Sequence, residues 1–333
     1  MHEYKDKKVL VTGGTGLIGR QVVDLLVECG AEVTSISLDD LRLNDKAVHF
    51  NLDLSSFSNN RSKFTDLEIF TRLLLGMDYV FHLAGIKASP KITLERPATM
   101  SIPPLMINTN VLEACRINGI RNVLFTSSIG AYAQGELLKE ENAYIGDPMD
   151  FLPGQVKRMA ENQIWAYQRE FGLNYRVVRL GNTYGIGDNF NPDNAMFIPS
   201  LMAKVLRGDN PVEIWGDGSQ IRDFAYSKDI ARGVLQMMLN AQDCMPINLG
   251  AGQGYTVKDV VETLHGITKF EFKFITSSTT GVKRRVLDIS KARSLGYELK
   301  YSLYEGLKET WEWFKDNSKE SEKRLNYFVD KES

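Results

Sequence analysis

Cysteine and histidine are scarce in this chain: three and four copies in 333 residues. Cys29, Cys115 and Cys244 are far apart and odd in number, which argues against a disulfide framework and fits a reducing cytoplasm. His2, His49, His82 and His265 share no metal-ligand spacing with one another or with the cysteines, so a zinc site has no basis here. An excess of positive charge is also missing: 40 Lys and Arg face 42 Asp and Glu, a net charge of -2, which leaves no electrostatic footprint for nucleic acid. No apolar run reaches the roughly 18 residues of a membrane span. The charged start, Met1 to Lys8, lacks the apolar core of a secretion signal.

What is present is a soluble composition with repeated strand and helix signals. Val9 to Thr12 reads as a strand, and Leu17, Ile18, Val22, Val23, Leu25 and Leu26 then recur at helical spacing until Gly30. Further strands are predicted at Ala31 to Ile36, Ala47 to Leu52, Tyr79 to Leu83, Val123 to Ser127 and Tyr175 to Leu180. Helices are predicted at Met106 to Asn118 and at Val156 to Phe171. This alternation predicts an α/β fold, a Rossmann-type doubly wound parallel sheet over residues 1–180. A Gly-, Asn- and Asp-rich loop from Gly185 to Asn194 opens a smaller substrate lobe over 181–315, interleaved with late strands of the main sheet. Ser302 and Glu305 match a capping box ahead of a helix reaching Phe314, and the charged tail 316–333 is expected to be partly disordered.

Gly13, Gly16 and Gly19 stand three apart between the first strand and the first helix. That context gives the spacing its meaning, because small residues let the backbone approach a pyrophosphate and helix N-terminal amides, here around Leu17 and Ile18, point at its charge. Asp53 and Leu54 follow the third strand, where a carboxylate can meet an adenine amine. Leu83, Ala84 and Gly85 end the fourth, and Ser127 and Ser128 the fifth. All fall at the carboxyl edge of the predicted sheet, where doubly wound folds bind ligands. The residue at the end of the second strand is Ser37, with Asp39 and Asp40 just beyond. Two acids repel a 2′-phosphate, which favours NAD and leaves NADP as the alternative.

With these motifs the chain resembles the extended short-chain dehydrogenase/reductase family of nucleotide-sugar epimerases, dehydratases and reductases, over roughly residues 7–315. His82-Leu83-Ala84-Gly85-Ile86-Lys87 and Thr109-Asn110-Val111 resemble its UDP-galactose 4-epimerase branch. Asn182-Thr183-Tyr184-Gly185, Asp188 to Pro192 and Phe197-Ile198-Pro199 are more similar to its GDP-L-fucose synthase branch, as are Trp215-Gly216, Arg222-Asp223-Phe224, Ile247 to Gly250 and Arg284 to Asp288. The resemblance implies hydride transfer on a nucleotide sugar, a GDP-sugar favoured. It implies Ser128 and Lys157 as catalytic residues, Asn110 and Lys157 beside the cofactor, and Asn182, Arg222 and one of Arg284 or Arg285 on the substrate. Asn191, Phe197, Ile198 and Trp215 join that substrate set, while Lys204 is either a phosphate contact or part of a solvated helix face. It further implies a homodimer through the two long helices, with Trp165 and Tyr167 in the contact or in the core.

One departure stands out. The family signature is Tyr-x-x-x-Lys, and four residues before Lys157 is Pro153, which has no proton to give. Loss of a general acid–base group costs about 10²- to 10⁴-fold in rate. Nor do Ile129, Gly130 and Ala131 supply the acid pair of the family's dehydratases, and Gly130 and Met196 replace the cysteine and histidine of its 3,5-epimerising members. What remains is hydride transfer at one carbon, as net redox or 4-epimerisation, with the proton carried by Lys157, Lys87 or a water, and Tyr132 or Tyr144 in reserve. The competing readings are a catalytically inactive dinucleotide or nucleotide-sugar binder, and a dehydrogenase of small non-nucleotide substrates.

Overall fold

Alternating strand and helix signals resolve into a seven-stranded parallel sheet with helices on both faces. The computed structural model describes residues 1–56, 64–87, 89–191, 194–276 and 282–322. Its first half runs β1 (Lys8–Thr12), α1 (Gly19–Glu28), β2 (Glu32–Ser37), β3 (Val48–Asn51), α2 (Asp66–Leu73), β4 (Tyr79–His82), α3 (Pro90–Glu95), α4 (Pro97–Ile117), β5 (Val123–Ser128), the short β6 (Leu137–Leu138), α5 (Phe151–Phe171) and β7 (Arg176–Leu180). The second half runs β8 (Asn182–Tyr184), α6 (Phe197–Arg207), β9 (Val212–Trp215), β10 (Ile221–Arg222), β11 (Phe224–Tyr226), α7 (Ser227–Asn240), β12 (Ile247–Leu249), β13 (Tyr255–Thr256), α8 (Val257–Thr268), β14 (Phe272–Ile275), β15 (Arg284–Leu287), α9 (Ser290–Ser294) and α10 (Leu303–Glu322).

The main sheet has the order β12-β7-β5-β4-β1-β2-β3. Chain order reverses beside β1, so β1 and β4 open the crevice that doubly wound sheets use for ligands. The central strands are buried on both faces: Leu10, Val80 and Phe125 against one helical layer that includes Ile107, Val111 and Ile164, Val11, Phe81 and Leu124 against another that includes Val22, Leu26, Val234 and Leu235. A third cluster around Ile198, Met202, Val260, Leu264 and Leu307 is the core of the smaller lobe. β12 returns from that half of the chain to pair with β7.

Two helices begin earlier than their local signals indicate. Prolines disfavour helix interiors, so the sequence places a start at Met106, yet α4 runs from Pro97 through Pro103 and Pro104. Its packing on α5 and the buried face of Ile107, Val111, Leu112 and Cys115 outweigh the lost backbone bonds. Similarly α5 starts at Phe151, five residues before Val156, and Pro153 sits in the first turn, where a missing N–H costs nothing. The Ser302–Glu305 capping box is formed, and α10 continues to Glu322; residues 323–333 of the tail lie outside the described residues. No described helix is long and apolar enough to cross a membrane.

Candidate active site

The glycine turn is shaped by close backbone approach. Gly13 has φ +72°, and a Cβ there would stand 2.8 Å from Ala84 Cα and N. A Cβ on Gly19 would overlap Gly13 O, so α1 can begin against the turn only with glycine at that position. Gly16 N donates to Gly13 O at 2.9 Å, and Leu17, Ile18 and Gly19 lead into α1, where the first backbone N–H groups of a helix have no intrahelical acceptor. This is a cradle that side chains would fill, and it fits a pyrophosphate.

The ribose and adenine side differs in detail from the sequence reading. Ser37 faces inward: its Oγ accepts from Thr15 N at 3.0 Å and pins the glycine turn. The carboxylate beside that turn is Asp39, whose Oδ2 accepts from Thr15 Oγ1 at 3.1 Å. Asp53 Oδ1 accepts from the amide and hydroxyl of Ser55. Asn110 acts at one remove, donating to Leu54 O at 2.8 Å and so holding the loop after β3.

Ser128 and Lys157 stand at the carboxyl end of β5 and in the second turn of α5. Ser128 Oγ accepts from Gly130 N at 3.1 Å, which fixes the turn after the strand. Lys157 Nζ donates to Thr126 O at 2.7 Å, lies 4.7 Å from the Phe125 ring centroid, and would be 3.7 Å from a Cβ on Gly85. Desolvation pushes its ammonium down to about 8, against the opposing pull of Glu161. Beneath it, burial and the Lys157 charge hold His82 neutral, near 3, despite the bond to Asn108. With Nε2–H donating to Asn108 Oδ1 at 3.1 Å, His82 Nδ1 accepts from Thr12 Oγ1 at 2.8 Å.

Neither reserve tyrosine reaches this point. Tyr132 is buried and donates to Asn248 Oδ1 at 2.8 Å. Tyr144 lies over Arg179, 5.4 Å from the guanidinium carbon to the ring centroid. Lys87 reaches toward the smaller lobe, with Nζ 3.4 Å from Thr183 O and 3.8 Å from Asp188.

The basic cluster resolves by strand register. β10 and β15 pair in parallel with Arg222 opposite Arg285 and Ile221 opposite Arg284, so Arg222 and Arg285 share one face. Arg284 turns to the other, toward Gly254 between Ile221 and Val286. Burial and the neighbouring Arg285 bring Arg222 down to about 10, with Asp150 opposing. Asp150 Oδ1 accepts from Arg285 Nη1 at 3.1 Å, and a Cβ on Gly130 would overlap Asp150 Oδ2. One carboxylate therefore spans the turn after Ser128 and the arginine pair. Arg285 Nε in this cluster, and Asn182 Nδ2 at the start of β8, are buried without a partner among the described residues.

Other expected contacts are placed elsewhere. Ile198 is in the lobe core, Phe197 packs on Phe224, and Lys204 is half-buried with Nζ donating to Glu213 O. Trp215 is 79 % exposed. Asn191 N donates to Asn189 Oδ1 within the Gly185–Asn194 loop. Asp223 is structural: fully buried, it accepts from Ala251 N, Gly252 N and Leu287 N, tying β10 and β11 to β12 and β15. Asp150 went unread in the sequence, although an aspartate just before Phe151 is a helix-start signal of the ordinary kind.

The NAD dependent epimerase/dehydratase family matches residues 9–250. A putative UDP-glucose 4-epimerase of Methanocaldococcus jannaschii is 30% identical over 322 residues, 93% of this chain and 99% of that protein. A putative GDP-L-fucose synthase 2 of Arabidopsis thaliana is 28% identical, covering 94% of this chain and 93% of its own length. The crystal structure of UDP-glucose 4-epimerase from Thermotoga maritima with UDP-glucose superposes with a TM-score of 0.80 at 31% identity, over 93% of this chain and 99% of that one. On the match to the family and the cover of these relatives, the chain belongs to the NAD dependent epimerase/dehydratase family.

Proposed function

We propose that this protein is an NAD-dependent oxidoreductase or 4-epimerase that transfers hydride at one carbon of a nucleoside-diphosphate sugar. The observation that carries the reading is the pairing of Arg222 and Arg285 on one face, a single carboxylate's reach from the turn after Ser128. Two guanidinium forks with an orphaned Nε suit a diphosphate, which offers several charged acceptors at once. When bound, the dinucleotide supplies a hydride acceptor and donor. The backbone around Gly13, Gly16, Leu17, Ile18 and Gly19 holds its pyrophosphate, Asp39 favours a free ribose 2′-hydroxyl, Asp53 and Leu54 line the adenine, and Leu83, Ala84 and Gly85 pass beside its nicotinamide half. Ser128 Oγ hydrogen-bonds the reacting sugar oxygen, Asn182 Nδ2 donates to the substrate, and the Lys157 charge favours the oxygen's anionic form. Arg284, Lys204 and Ile198 stand outside this set, with side chains engaged elsewhere, and Trp215 is left out of it as a solvent-exposed side chain.

Incubation with NAD and a panel of UDP- and GDP-hexoses tests this. Reduced-nicotinamide absorbance or an epimer identified by proton NMR is the expected result; no change across the panel contradicts it.

The protein is also proposed to form a homodimer through α4 and α5, which leave Ile102, Phe151, Met159 and Trp165 exposed. Tyr167 belongs instead to the seam between those helices, donating to Glu113 at 2.8 Å. Three free cysteines support a cytoplasmic setting.

A further inference from the structure

We propose that Asp150 is the acid–base group that contacts the reacting sugar hydroxyl, in place of the tyrosine that Pro153 has displaced. The inference rests on the nucleotide-sugar reading above and assigns the proton within it.

The placement of Asp150 is fixed by its backbone. Its N–H donates to Gly130 O at 3.2 Å, and its carbonyl accepts from Gly154 N at 2.6 Å. Gly154 must be glycine for this contact, because a Cβ there would stand 2.5 Å from Gly130 O and from Pro148 Cβ. Asp150 is the residue before α5, yet its side chain makes no capping bond to the helix. The carboxylate turns onto the Ser128–Gly130 turn, into the space a side chain at 130 would occupy. It therefore stands between Ser128 and the Arg222–Arg285 clamp, where the sugar of a clamped nucleotide must lie.

Stability is a weak reason for this arrangement. The Asp150 side chain is 42% exposed and that of Arg285 20%. An ion pair this open to solvent adds little to stability. Its partner is also one of the two arginines that suit a diphosphate, and Arg285 has a further buried N–H unsatisfied. A bound diphosphate draws the guanidinium to itself and leaves the carboxylate facing the sugar.

The other groups near Ser128 are occupied or of the wrong kind. Tyr132 is held by Asn248, Tyr144 lies over Arg179, and Lys157 donates to Thr126 O. Lys87 faces Thr183 O and Asp188. An ammonium cannot accept a proton while charged, whereas a carboxylate can.

In the oxidative direction the sugar O–H bond breaks and its proton passes to an oxygen of Asp150. The C–H electron pair leaves as hydride to the dinucleotide, which is reduced as the carbinol carbon becomes a carbonyl. The return step reverses both transfers, Asp150–H giving its proton back to the oxygen as hydride returns to carbon.

The test compares wild type with Asp150→Asn and Asp150→Glu by two readouts. The first is single-turnover formation of reduced nicotinamide with the sugar nucleotide the wild type accepts. The second is calorimetric affinity for UDP and for GDP, which involves no chemistry. The expected result for Asp150→Asn is a rate loss of about 10²- to 10⁴-fold. Its nucleoside-diphosphate affinity is kept, or tightened up to about fivefold as Arg285 loses its internal partner. Asp150→Glu recovers part of the rate. An Asp150→Asn rate within about threefold of wild type overturns the assignment. So does a variant that loses nucleotide binding in step with rate, since Asp150 would then only position Arg285. A wild type that neither binds UDP or GDP nor turns over a sugar nucleotide overturns the underlying reading instead, and the two failures are told apart by the wild-type arm alone.

Discussion

Lys157 carries its charge in a recess that disfavours it. Desolvation outweighs the pull of Glu161 and lowers the ammonium to about 8, so it is charged below that pH and neutral above it. If its charge favours the sugar oxyanion, kcat falls as pH rises through about 8. Lys157→Arg, which stays charged, flattens that alkaline limb in a pH–rate profile, and Lys157→Met loses about 10²-fold or more at neutral pH. Asp223 shows the opposite sign. Burial, opposed by its three backbone N–H donors, raises the carboxyl from 3.8 to about 6. Between those values the folded state holds a proton that the unfolded state releases, so stability falls as pH rises across that window and levels off above it. Asp223→Asn removes this slope in denaturant titrations and costs about 1–3 kcal/mol, because an amide has one acceptor oxygen for three donors. How much of this was legible depended on range. Gly13, Gly16, Gly19, Ser128 and Lys157 were readable because strand ends and glycine turns are local geometry. Which of Arg284 and Arg285 shares a face with Arg222 was not, since that is set by pairing β15 with a strand some sixty residues earlier. Asp150 was hidden for the same reason: its meaning comes from Gly130 and Arg285.

At the scale of elements, the Ser128 strand, the Lys157 helix and β7 are joined by one buried group of charges. Arg179 grips Glu161 with Nε at 2.9 Å and Nη2 at 2.7 Å, both side chains being fully buried, and Ser127 Oγ also donates to Glu161. Tyr132 covers the guanidinium at 4.3 Å. Removing one partner strands the other, so Glu161→Leu is expected to cost about 3–5 kcal/mol in chemical unfolding. Glu161→Leu with Arg179→Leu should recover most of that loss, because neither charge is then buried alone. A double variant as unstable as the single one would show that the pair is needed for itself. The two helix starts were the poorest element-level expectations: α4 runs through Pro103 and Pro104, and α5 starts five residues before Val156 with Pro153 in a first turn that suits it. Local propensity argues for a break at Pro103-Pro104 and gives little support to Phe151-Leu152-Pro153-Gly154, but packing decides both.

Across the whole molecule, the candidate ligand elements are the glycine turn after β1, the ends of β4 and β5, the first turns of α5 and the arginine pair of the smaller lobe. The alternating pattern was enough to expect the parallel sheet, since strand–helix repeats leave few topologies open. The proposed α4–α5 interface predicts a dimer in sedimentation velocity that Trp165→Glu converts to monomer without unfolding; unchanged mass would refute that surface. The central claim is that one dinucleotide and one nucleoside diphosphate are bound together by these elements. Sequential calorimetric titration of NAD and then UDP or GDP into the same sample tests it most directly. One site per chain is expected for each ligand, with Arg222→Ala and Arg285→Ala abolishing nucleoside-diphosphate binding while NAD still binds. Nucleoside-diphosphate binding that ignores both arginines, or no binding of either ligand, would contradict it.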